Sequence, residues 1–138
     1  AWTKTNSSMK AQRAYDLLRH FQQQKIAGID IESKVYLYAL VINACAFCNG
    51  HDDSKTFQIA TTLFDEILDS AELAPSAVLF GWFIQSCGRL DINEAMRDAY
   101  INRAYVACKN RGMVNDFVVQ RLKGAASTSL QRSLLGNE

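Results

Sequence analysis

The sequence predicts an all-α protein, an α-solenoid of antiparallel helix hairpins with about seven helices. Three observations carry that prediction. Apolar residues recur at helical spacings along almost the whole chain, and strand-like alternation is convincing nowhere. Short polar or glycine-bearing segments separate the helices, which makes successive ones antiparallel. The chain also repeats itself: "YALVINACAFC" from Tyr38 and "FGWFIQSCGRL" from Phe80 align Tyr38, Val41, Ile42 and Cys45 with Phe80, Phe83, Ile84 and Cys87 at a constant offset of 42 residues.

Taken in order, the first helix follows the polar entry "TNSS" and carries Met9, Ala14, Leu17, Leu18 and Phe21 on one stripe, with Gly28 beyond its end. The second runs from about Val35 to Cys48. Tyr38, Val41, Ile42 and Cys45 form one side, while Tyr36, Leu40 and Phe47 make the opposite side apolar too, so this helix is expected to be covered on both faces. "NGHDDS" supplies a turn and a capping Asp or Ser, and the third helix carries Phe57, Ala60, Leu63, Phe64, Ile67 and Leu68 until "AELAPS" ends it.

The pattern then restarts. Ala77 to Cys87 is short and apolar almost all round, with Gly88 expected to break it. "DINEAMRDAYINRAYVACKN" gives a longer amphipathic helix with Ile101, Ala104, Tyr105 and Cys108 at positions matching the third helix, and Gly112 closes it. A sixth helix starts near Asn115 or Asp116 with Phe117, Val118 and Leu122, and Ser127 or Thr128 caps a last one through Leu134. Tyr38, Ile42, Phe83, Ile84, Leu63, Phe64 and Tyr105 are the expected core.

Composition narrows the class of work. A chain of 138 residues, 49% hydrophobic and 21% charged, is long enough for one domain with a core. No apolar run approaches the ~18 residues of a membrane span, so membrane insertion is not expected. Beginning at Ala1, the sequence reads as a processed or excised piece of a longer repeat protein. The formal net charge of +1 is unevenly spread: residues 1–34 sum to +3, residues 35–88 to −5 and residues 89–138 to +3. A phosphate backbone would meet attraction at the ends and repulsion in the middle, unless these are simply solvated helix faces.

The first-helix pattern of aromatic, two residues, hydrophobic and isoleucine, followed by "ATTLFDEI" from Ala60 to Ile67 and then "APS", resembles pentatricopeptide repeats, and "AYDLLRHF" followed by Gly28 resembles the back half of another. The resemblance divides the chain into a trailing half-repeat (1–34), two repeats (35–76 and 77–113) and a partial repeat (114–138). The period of 42 is longer than the ~35 residues typical of that family. A tetratricopeptide reading fits less well, because the Trp, Leu-Gly and Tyr pattern is missing.

The resemblance implies binding of single-stranded RNA in a mitochondrion or chloroplast. It also implies which residues face the RNA: Ala39 with Ser76 and Gly81 with Met113 or Asp116 at base-reading positions, Tyr36 and Val78 packing beside the bases, and Lys34 as the last residue of the truncated first repeat. Ala39 and Gly81 carry no side-chain donor or acceptor, so readout of RNA sequence is expected to be slight. Tyr36 is read as packing between repeats or, alternatively, as a stacking platform, and Lys34 and Arg89 as phosphate contacts.

"CAFCNGH" brings Cys45, Cys48 and His51 close together, but a structural zinc site draws on two well-spaced pairs, and Cys87 and Cys108 stand singly. Cys45 and Cys87, equivalent in adjacent repeats, are expected ~8–10 Å apart on stacked helices, beyond the reach of a disulfide. Buried thiols, with no metal or other cofactor, are the reading adopted. His20 and His51 have no nucleophile placed beside them, Asp52 and Asp53 are explained as turn and cap, and no phosphate-binding glycine loop follows a strand. The chain therefore reads as a non-catalytic binding module without a small-molecule substrate. Its partner is single-stranded RNA or, alternatively, the protein subunits of a larger organellar complex.

Overall fold

Side-chain caps and turn residues set the helix limits. A computed structural model describes residues 10–24, 31–47 and 53–136, and these form seven α-helices with no strand among them. They are α1 (Lys10–Gln24), α2 (Ile31–Ala46), α3 (Asp53–Asp69), α4 (Ala77–Arg89), α5 (Glu94–Asn110), α6 (Asp116–Ala125) and α7 (Thr128–Leu135). Ser76, Asn93, Asn115 and Ser127 each cap the helix that follows, their side chains accepting N–H groups of its first turn that have no partner within the helix. Gly112 ends α5 in the left-handed conformation (φ 68°), which lets Gly112 N–H reach the Lys109 carbonyl and Met113 N–H the Cys108 carbonyl.

The all-α prediction holds, and two boundaries move. α2 begins at Ile31, one turn before Val35, so Lys34 lies inside the helix. Periodicity locates the start of an apolar face, whereas Glu32 and Lys34 extend the helix on propensity alone. Gly88 does not break α4, which continues to Arg89. The expected positions of Met9, Gly28, Cys48, Asn49, His51 and Asp52 lie outside the described residues. Asp53 opens α3, and its carboxylate accepts the Asp91 N–H at 2.6 Å, tying the start of α3 to the α4–α5 turn.

The helices divide by position in the chain. α4 packs most extensively against α2 on one side and α6 on the other. Of the odd-numbered helices, α1 contacts both α2 and α3, and α5 contacts α4 and α7. The 42-residue offset extends to burial: Tyr38, Ala39, Val41, Ile42 and Cys45 are buried in α2, as are Phe80, Gly81, Phe83, Ile84 and Cys87 in α4. A parallel offset of 41 residues relates buried Ala60, Leu63, Phe64 and Ile67 of α3 to buried Ile101, Ala104, Tyr105 and Cys108 of α5.

An aromatic cluster joins α3, α4 and α5. Phe64 stacks face to face on Phe83 with centroids 4.0 Å apart, meets Phe80 edge-on at 5.7 Å, and Phe57 meets Tyr100 edge-on at 5.1 Å. All seven residues expected in the core are buried. At the rim, adjacent acids of α3 reach in opposite directions: Glu66 is gripped by both terminal nitrogens of Arg19 in α1, and Asp65 lies 2.7 Å from Arg103 in α5. Cys45, Cys87 and Cys108 are buried as well.

One expectation about α2 is overturned. Its second apolar side was expected to be covered, yet Tyr36 is 55% exposed and Leu40 and Phe47 are also exposed. Successive neighbours α1, α3 and α4 take up the other sides of α2, and the described helices leave this one facing solvent.

Candidate nucleic-acid interface

The bare side of α2 continues onto α4. Tyr36, Leu40 and Phe47 form one stripe, and the 42-residue offset carries these positions to Val78, Trp82 and Arg89, with Gln85 between the last two on the same side. Ring contact joins the stripes, with Tyr36 and Trp82 centroids 6.4 Å apart and tilted by 45°. At the other end, the Arg89 guanidinium lies 4.6 Å from the centroid of Phe47, and its Nε donates to the Ala46 carbonyl at 2.8 Å.

α6 extends the surface because glycine lets it approach. A Cβ at Gly81 would stand 2.3 Å from the Phe117 ring, and one at Gly88 would stand 2.5 Å from the Ala125 Cβ. These glycines are seven residues apart, two turns along one side of α4. Arg121 lies over Phe117, 4.8 Å from its centroid, and with Gln120 it faces Gln85 and Arg89 across a notch of about 190 Å³.

Charge separates α3 from α2 and α4. Of the six acids that give residues 35–88 their negative sum, the five described ones fall in α3 (Asp53, Asp65, Glu66, Asp69) or just after it (Glu72), none in α2 or α4. Among the described side chains of α2, α4 and α6, Asp116 is the only carboxylate. Among the described residues, the acidic middle therefore places no carboxylate on this face.

The residues expected to face RNA are only partly brought together. Tyr36, Val78 and Arg89 share the exposed face. Ala39, 1% exposed, and Gly81, buried beneath Phe117, do not: helix packing occupies the side of the helix on which each sits. Lys34 is exposed but lies about 160° around α2 from Tyr36, at ~100° per residue. Ser76 spends its hydroxyl capping α4, accepting the Leu79 N–H at 3.2 Å. Met113 is half-buried against the core and Asp116 exposed at the start of α6. Sequence reasoning missed Trp82, Gln85, Gln120 and Arg121; carrying the exposed positions of α2 forward by 42 residues, as was done for the buried ones, would have found Trp82.

The described cysteines, Cys45, Cys87 and Cys108, are buried away from this surface. Burial pushes the Cys87 thiol far above its ordinary range despite the nearby Arg97 charge, and pushes Cys108 up to about 11 against the opposing influence of Arg111. Both are poor nucleophiles near neutrality. Comparison with known proteins returns no matching family model, curated protein or solved structure.

Proposed function

We propose that the chain is a non-catalytic helical-repeat module, an α-solenoid of the pentatricopeptide type, that binds single-stranded RNA in a mitochondrion or chloroplast. The observation supporting this is the face shared by α2, α4 and α6, where a ring pair, Tyr36 with Trp82, lies beside two arginines held on rings, Arg89 on Phe47 and Arg121 on Phe117. Exposed rings such as Tyr36 and Phe47 accept bases of any identity by stacking, and arginines beside them neutralise phosphates, which is the chemistry of sequence-tolerant single-strand binding. Carboxylates concentrated on α3 leave that face available to a polyanion.

A second reading, as an adaptor for protein subunits, is favoured by the exposed apolar run of Tyr36, Leu40, Phe47 and Val78 on the same face. Titration of short single-stranded RNAs at increasing salt separates the two. RNA binding predicts affinity that falls steeply and linearly on logarithmic axes. An adaptor predicts no binding at physiological salt, with a protein partner lost on changing Leu40 or Val78.

A further inference from the structure

The notch between the C-terminal halves of α4 and α6 brings together side chains of two kinds. Arg89 and Arg121 supply positive charge, and Gln85 and Gln120 supply amides; Gly88, Gly124 and Ala125 keep the floor low. Neither arginine is ion-paired with a carboxylate among the described residues. Both guanidiniums are instead held against rings, Arg89 on Phe47 and Arg121 on Phe117, and Arg89 is further fixed through Nε. Two like charges lining one concavity, with no carboxylate paired to either among the described residues, make the arrangement favourable to a phosphate. Each amide offers one acceptor and two donors, the combination that hydrogen-bonds the edge of an unstacked base.

We infer that this notch holds one nucleotide of the bound RNA, Arg89 and Arg121 taking its phosphate and Gln85 and Gln120 the edge of its base. The inference rests on the RNA reading above and adds to it. A face that otherwise accepts any base gains one position at which base identity counts. Ala39 and Gly81, buried in the packing, have no part in that selection; it falls to α4 and α6 residues one and two turns further along the helices.

The test measures affinities of short adenine, cytosine and uracil homopolymers for the intact chain, for Gln85→Ala/Gln120→Ala and for Arg121→Ala. The intact chain should prefer one homopolymer by about three- to tenfold, the worth of one or two amide hydrogen bonds. The double glutamine variant should bind all three at the level of the weakest. Arg121→Ala should weaken all three together and lower the salt slope by about one. Equal affinities in the intact chain, or a preference that survives the double variant, would overturn the nucleotide site while leaving RNA binding in place. Failure of every homopolymer to bind would remove both.

Discussion

Gly88 of α4 and Ala125 of α6 meet with no room for another atom: a Cβ built on Gly88 stands 2.5 Å from the Ala125 Cβ and 2.8 Å from its Cα. The nearest obstacle includes backbone, so the whole of α6 would have to move. Alanine is the better helix former by about 1 kcal/mol, yet overpacking of this kind costs about 1–3 kcal/mol, so Gly88→Ala should be neutral to destabilising by up to ~2 kcal/mol. Gly124, in α6 with nothing within 4 Å of its added Cβ, is the control. Gly124→Ala should stabilise by about 0.4–1 kcal/mol. Urea unfolding midpoints read both, and a Gly88→Ala midpoint above that of Gly124→Ala would refute the close approach.

Ile84 is fully buried in the same core cluster as Phe64 and Phe83. Ile84→Ala should cost about 2–5 kcal/mol, the range for emptying a core site. A loss below about 0.5 kcal/mol would place Ile84 at the surface.

Alkaline pH should weaken the fold through its thiols. Unfolded cysteines titrate near 8.5, whereas Cys108 is pushed up to about 11 in the folded chain and Cys87 higher still. Below the unfolded value both states keep the proton and stability is intact. Above it only the unfolded chain ionises, so stability is lost progressively as pH rises toward the folded value. Urea midpoints measured from about pH 8 to about pH 10.5 should fall, and less so in Cys108→Ala. An identical fall in that variant would show that Cys108 does not contribute.

Single-strand binding should follow the exposed face rather than the buried positions. Tyr36→Ala and Trp82→Ala should each remove about 1–3 kcal/mol of RNA affinity if a base stacks there. Arg89→Ala should weaken all RNAs and lower the salt slope by about one, while Arg89→Lys retains the slope. Lys34→Ala, on another side of α2, should have the smaller effect. Equal losses for Lys34→Ala and Arg89→Ala, read by fluorescence anisotropy across a salt series, would argue against this face.

Helix type and, apart from Leu17 of α1, which is exposed, the inward stripe of the described residues were legible in the sequence because each depends on residues within a few turns of one another. Ile42 and Ile84, Phe64 and Tyr105 declare their burial through spacing alone, and Asn115 and Ser127 mark starts through local capping chemistry. What surrounds a helix is a different kind of question, answered by segments far away in the chain. Tyr36, Leu40 and Phe47 have the spacing of a covered face, and only the packing of α1, α3 and α4 around the other sides of α2 decided that they remain in solvent. Ala39 and Gly81 have no side chain that could announce contact; the approach of neighbouring helices decided their burial. The acidic middle of the chain likewise became chiefly the property of α3 when folding put Asp53, Asp65, Glu66 and Asp69 there, apart from the rings and Arg89 of α2 and α4. Periodicity is local, whereas the choice of neighbours is not, and the candidate interface lies on surfaces defined by that choice.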